Sequence, residues 1–296
     1  MRTISDGGDR PAVGTPMLDG PAVEMRAPGL LRSFLDFVLT LFRRRFLISE
    51  MALRDIASQH VASTLGFFWT LIHPAMTIVI LWIVFDLGFR VVPTKGVPFV
   101  VWLTAGMAIW NTFLETVTGS TRMITANPYL VKKVVFPLSI LPVVKLIASL
   151  VAHFVFLAIL LVLMAFYRLP PSIYSIQAIY YFLAMTTLAL GLSWITSSLN
   201  VFFRDTAQIV TLLLQFGFWM TPVFWDIDIM PVRLRPFFVL NPMYYVVQGY
   251  RDSFLYSVPF WHHGWMTCYY WLVAASVFVI GALMFRRLKP HFADVV

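Results

Sequence analysis

Six stretches of this sequence run without an Asp, Glu, Lys or Arg for long enough to cross a lipid bilayer as a helix. They are Ile56 to Phe85, Gly96 to Leu114, Leu146 to Tyr167, Leu169 to Phe203, Thr206 to Trp225 and Ser253 to Phe285. A hydrocarbon core of roughly 30 Å takes about 20 helical residues at 1.5 Å each, with every backbone polar group satisfied inside the segment. β-Barrel strands would instead alternate apolar and polar residues over about ten positions, whereas these runs are continuously apolar. Trimming Pro, Gly and polar ends gives spans at about 65–88, 98–118, 142–166, 177–199, 207–225 and 267–285. Composition supports this: 59% of the 296 residues are hydrophobic and 12% charged, against about 45–50% and roughly 25% in an ordinary soluble domain. One soluble globule could not hide that much apolar surface. The fold class expected is an all-α integral membrane protein with six transmembrane helices.

The net charge of +8 raises the possibility of nucleic acid, but the basic residues are sorted by segment. With the amino end cytoplasmic, the inner segments hold Arg43, Arg44, Arg45, Arg54, Arg122, Lys132, Lys133, Lys145, Arg286, Arg287 and Lys289, together with the basic residues of the first 32 positions and Arg204. The outer segments hold only Arg90, Lys95, Arg168, Arg233, Arg235 and Arg251. That asymmetry is the positive-inside signal. It predicts both termini in the cytoplasm and no nucleic-acid partner.

Residues 1–29 are polar and rich in Gly and Pro, without the apolar run of a signal peptide, and are expected to form a disordered cytoplasmic tail. Residues 30–62 differ. Leu35, Val38, Phe42, Phe46, Leu53 and Ile56 recur at mostly helical spacing, while Arg43, Arg44, Arg45, Glu50, Arg54 and Asp55 interrupt any span. One or two amphipathic helices on the inner membrane surface are expected. Residues 63–296 then form the transmembrane domain. Within it, Asp226 to Asp252 mixes apolar residues with Met230-Pro231, Arg235-Pro236 and Asn241-Pro242. This segment is too broken to cross the bilayer and predicts two short re-entrant helices on the outer face, between spans five and six.

Motifs for nucleotide chemistry are absent. No Gly-Lys dipeptide exists and no two glycines sit two apart, so neither a P-loop nor a GxGxxG turn can form. HExxH and GxSxG are also missing. If the chain drives active transport, the ATPase is a separate subunit that binds ATP and Mg, and this chain needs no cofactor. Asp226-Ile-Asp228 has the DxD form that can hold a divalent cation and a sugar nucleotide, but a lone DxD arises easily by chance, and it faces outward in this topology. His262-His263, flanked by Trp261 and Trp265, reads as an interfacial belt rather than a metal site. Lone Cys268 excludes an intrachain disulfide framework. Glu115 and Asp86, near span ends, are candidates for lining a polar cavity.

Asn127 to Pro137, between spans two and three, predicts a short basic helix with Asn127 as its cap and Pro128 in its first turn. Such a helix could dock a soluble partner. This segment, together with Arg54-Asp55, Ser63 to Trp69, His73-Pro74, Phe203-Arg204-Asp205, Thr221-Pro222-Val223, Leu240-Asn241-Pro242 and Gly249-Tyr250-Arg251, resembles the ABC-2 type permeases of polysaccharide exporters. The likeness covers roughly residues 34 to 294.

The resemblance implies a homodimer with two copies of an ATP-binding subunit, in the bacterial inner membrane, exporting an undecaprenyl-linked polymer such as O-antigen. Capsule, teichoic acid, drugs and small lipids are the alternative cargoes, and a membrane glycosyltransferase is the rival from another class. It implies that residues 30–62 form an interface or gate helix, entering span one through Leu65-Gly66. It also implies that Asn127, Pro128, Tyr129, Lys132 and Lys133 couple to the ATPase. Arg43, Arg44, Arg45 and Arg54 would meet the pyrophosphate of the lipid-linked substrate, and Gly66 would allow a tight turn beside it. Trp110, Phe113, Glu115, Phe216, Trp219, Thr221, Pro222, Asn241, Pro242, Tyr244, Tyr245 and Arg251 are the corresponding channel or outer-gate positions, where aromatic faces suit sugar CH surfaces. No metal site is expected.

Overall fold

The computed structural model describes residues 30–58, 65–66, 68–90, 96–132 and 136–295. The tail at 1–29, the end of the 30–62 segment, Ser63-Thr64, Phe67 and Lys133 lie outside the described residues. All regular structure among those described is helical, as an all-α membrane protein requires.

Helix α1 (Leu30–Arg43) belongs to one unit of the chain, and the remaining elements form a second. In α1 the apolar residues fall strongly on one side. Helix α2 (Arg45–Ser58) is far less one-sided, burying only Ile48 and Ala52, and it packs on α6 (Leu141–Phe166).

Five helical segments are long and apolar enough to cross a membrane: Phe68–Gly88, Phe99–Met123, Leu138–Phe166, Ile173–Phe202 and Phe260–Val295. They contain α3 (Phe68–Trp82, widening into a π-helical turn at Ile83–Gly88), α4 (Phe99–Met123), α6, α7 (Ala178–Phe202) and α11 (Gly264–Leu288). The span expected at 207–225 is a shorter apolar helix, α8 (Thr206–Met220). Its 15 residues reach about 22 Å. It stops where Thr221 turns extended (φ −94°, ψ 129°) ahead of Pro222, which has no N–H to continue the ladder. Residues 221–225 are then buried in protein, where their backbone finds partners.

Burial runs opposite to a soluble domain. Helix α4 is the least apolar of the five spans and the most buried, whereas the span containing α6, the most apolar, turns much of its surface outward. Lipid is as apolar as any core, so packing between spans comes from small and hydrogen-bonding side chains. Helix α4 is built that way. Thr116 Oγ1 lies 3.0 Å from Ser149 Oγ of α6, and Thr121 Oγ1 donates to Thr196 Oγ1 of α7 at 2.8 Å. Thr112 Oγ1 lies 2.8 Å from His153 Nδ1 on α6, and His153 Nε2 lies 3.3 Å from the Tyr250 hydroxyl. Helices α7 and α11 cross where a Cβ on Gly281 would stand 2.3 Å from the Gly191 carbonyl oxygen, so both positions need glycine.

Between α8 and α11 lie α9 (Arg235–Val239) and α10 (Pro242–Arg251), joined to short 3₁₀ and π turns. Neither can cross a bilayer. Helix α10 is buried over most of its length, against α4 and α7.

Candidate functional site

Within the unit from Arg44 onward, many of the sequence-flagged residues lie towards one end or the other of α4. At its Met123 end the chain forms α5 (Pro128–Val131), a single helical turn anchored by buried Leu130, with Tyr129 and Lys132 exposed. Asn127 does not cap it. Its side-chain Nδ2 instead donates to the Met123 carbonyl at 2.9 Å, closing the end of α4. A four-residue helix offers few free amides, whereas the end of a 25-residue helix leaves carbonyls in need of donors. Asn200 on α7 braces the same end: it donates to Thr125 Oγ1 at 3.2 Å and accepts from the Ala207 N–H of α8 at 3.1 Å.

Arg44, Arg45 and Arg54 are exposed, as is Arg43 on α1. Arg54 pairs with Glu50 one turn back on α2, with both groups largely in solvent. Leu65 is half exposed, and Gly66 has φ 48°, the left-handed conformation glycine adopts without penalty. Asp55 on α2 is half-buried, and its Oδ2 accepts from buried Lys145 Nζ of α6 at 2.9 Å. Glu115 Oε1 on α4 stands 3.9 Å from the same ammonium. The lysine stem passes over Gly119, where a Cβ would sit 2.1 Å from Cε. Sequence reasoning flagged Glu115 but not its tie to Lys145 and Asp55. The available signal was a lysine at the threshold of a long charge-free run, needing a carboxylate from elsewhere.

The residues expected to form the channel or outer gate fall into two groups. Arg251 is fully buried. It donates to the carbonyls of Pro222 at 2.8 Å and Val223 at 2.7 Å, and its guanidinium lies 3.4 Å from the Trp102 ring centre. It therefore ties α10 and the turn after α8 to α4. Thr221 and Asn241 join in: Asn241 Nδ2 donates to Thr221 Oγ1 at 2.7 Å, and Asn241 Oδ1 caps α10 by accepting from the Met243 N–H at 3.0 Å, with Pro242 in the first turn. Tyr245 is buried, its hydroxyl 3.0 Å from Tyr180 and 3.1 Å from Thr267. Trp110 and Phe113 are buried inside the subunit, with Trp110 against Phe218. Phe216 and Trp219 are exposed on α8 beside Ile209, Leu212 and Leu213.

A cavity of about 550 Å³ opens beside α10, lined by Tyr244, Gln248, Asp226, Asp228 and His262 among others. The DxD is engaged locally. Asp226 accepts from the Asp228 N–H at 3.0 Å, and Asp228 pairs with Arg235 at 2.7 Å. Among the described residues no group of three His, Cys, Asp or Glu is arranged to hold a metal ion.

The ABC-2 type transporter family matches residues 47–255, a stretch that takes in α2, the spans through α8, and α10. The chain is similar to an O-antigen export system permease protein RfbA of Klebsiella pneumoniae, 26% identical over 245 residues, which are 82% of this chain and 92% of the relative. A protein of the same name from Myxococcus xanthus is 30% identical over 220 residues, 73% of this chain and 83% of the relative. From its helical, multi-pass architecture and this match, the chain belongs to the ABC-2 type transporter family and is a membrane-embedded transporter subunit.

Proposed function

We propose that this chain is the channel-forming subunit of an ATP-driven exporter of lipid-linked polysaccharide of the O-antigen type, in the bacterial inner membrane with both termini cytoplasmic. The observation that carries this reading is the match to O-antigen export permeases along nearly their whole length. The chain contains no nucleotide-binding motif, so a separate ATP-binding subunit, in two copies, supplies the energy. Its docking handle is α5, where Tyr129 and Lys132 stand clear of the membrane core on a turn fixed by Leu130 and by the Asn127 clamp on α4. Exposed Arg44, Arg45 and Arg54 supply positive charge for a pyrophosphate at the headgroup level.

A second copy of the chain completes the path. Helix α8 carries an exposed apolar and aromatic face from Ile209 through Phe216 to Trp219, and a helix too short to span lipid comfortably gains by packing against a partner subunit. The polymer must be held weakly at many points, because a tight site would stall a processive chain.

Deletion of the gene tests the reading. Lipid-linked polymer should accumulate on the cytoplasmic side and surface polysaccharide should disappear, with both restored by the intact gene. Normal surface polysaccharide in the deletion strain overturns it.

A further inference from the structure

We propose that Lys145 is a two-seat latch for α2: it holds the helix down through Asp55, and Glu115 receives its charge when the helix lifts. The inference rests on the export reading, in which Arg45 and Arg54 of α2 meet a pyrophosphate, and adds how the position of those arginines is controlled.

Apolar contact holds α2 lightly. Of its 14 residues only Ile48 and Ala52 are buried, so the area it removes from water is small and a polar tie weighs heavily beside it. Such a tie stands in its last turn, where Asp55 Oδ2 accepts from Lys145 Nζ at 2.9 Å. Lys145 is buried, near the start of the third span. When α2 lifts, Asp55 leaves with it, and a buried ammonium stranded without a partner costs more than the hydrogen bond itself. That cost alone would lock the helix down.

A second carboxylate stands on an element that stays. Glu115 Oε1 of α4 lies 3.9 Å from the same nitrogen, close enough for attraction and too far for a hydrogen bond. Helices α4 and α6 are fastened to each other along the span by Thr112 with His153 and Thr116 with Ser149, so the Glu115 seat does not depend on α2. The lysine stem lies against α4 in the space that Gly119 leaves. A swing of about 1 Å at the end of this flexible stem brings the ammonium into hydrogen-bond range of Glu115. Glu115 therefore lowers the cost of the lifted state, while Asp55 sets the resting one.

The test uses the full-length chain in lipid nanodiscs, with the exposed Cys268 changed to Ser and a cysteine introduced by Ala52→Cys, at a position 1% exposed. The rate at which a water-soluble maleimide labels that cysteine reads how often α2 lifts, and Ile48→Cys gives the same reading should Ala52→Cys fail to fold. Asp55→Ala should raise the rate about tenfold, as loss of one charge-assisted hydrogen bond predicts. Glu115→Gln should lower it about threefold or more, because the lifted state then strands the lysine. A carboxylate that only stabilised the fold would leave the rate unchanged or raise it. With Lys145→Met in place, Glu115→Gln should move the rate by less than about twofold, since the group that couples the two carboxylates is gone.

An equal or faster rate in Glu115→Gln overturns the proposal. So does an unmoved rate in Asp55→Ala, or a Glu115→Gln effect that survives Lys145→Met; should Lys145→Met fail to fold, Lys145→Gln serves as the same control. The export reading fails separately. Loss of surface polysaccharide in the deletion strain with labelling rates that do not move in opposite directions sinks the latch alone, whereas opposite movements support the latch even if surface polysaccharide is normal.

Discussion

Lys145 has one carboxylate at 2.9 Å and a second at 3.9 Å, and this spacing sets what loss of either should cost. Removing one partner of a buried pair is expensive because the other charge is stranded. Here Glu115 can take over the ammonium, so Asp55→Ala alone should destabilise by about 1–2 kcal/mol. Asp55→Ala with Glu115→Ala should cost about 3–5 kcal/mol, more than the sum of the single variants. Thermal unfolding of the three variants in detergent checks this, and additivity would mean that Glu115 offers no second seat.

Arg251 gives a second residue-scale expectation. Its two short hydrogen bonds to carbonyls need a planar fork that lysine cannot reproduce. Arg251→Lys should therefore destabilise by about 2–3 kcal/mol and Arg251→Ala by about 3–5 kcal/mol, read as successive drops in Tm.

At the scale of elements, the crossing of α7 and α11 is the tightest helix contact with a simple test. A methyl group at position 281 meets backbone, which has no side chain to swing away. Gly281→Ala should cost about 2–3 kcal/mol, through the separation of two packed helices. Gly88→Ala, whose added Cβ would have ordinary contact at 3.6 Å from the Ile83 carbonyl, should remain within about 1 kcal/mol of wild type. Comparison of the two Tm values decides whether the close crossing or helix propensity is at work. The polar seam of α4 follows the same physics: Thr112, Thr116 and Thr121 find partners on neighbouring spans, while Thr104 and Thr118 close on carbonyls of their own helix, so the least apolar span can be the most buried.

At the scale of the whole molecule, movement generated by a soluble partner must enter the membrane through something that projects from it. The proposed function gives that part to α5, which carries exposed Tyr129 and Lys132 on a turn tied to α4 and, through Asn200, to α7 and α8. Tyr129→Ala with Lys132→Glu should leave Tm nearly unchanged, since exposed substitutions cost within about 0.5 kcal/mol each. It should lower stimulation of the partner ATPase at least severalfold. Full stimulation in the double variant would remove α5 from the coupling path.

The sequence by itself determined the helical class and the presence of long apolar helices, whereas the span it led us to expect at 207–225 ends at Met220. Those features depend on local quantities: the length of charge-free runs against bilayer thickness, and the positions of Pro and Gly. The close approach of Gly191 and Gly281, the seating of Lys145 between Asp55 and Glu115, and the burial of Arg251 against Trp102 were decided only by the tertiary structure. So was the separation of aromatics into those packed inside, such as Trp110, and those on an outer face, such as Trp219. Where lipid and protein interior are equally apolar, hydropathy cannot tell which face of a helix turns inward, and that choice is made by hydrogen-bonding and small side chains meeting across distant parts of the chain.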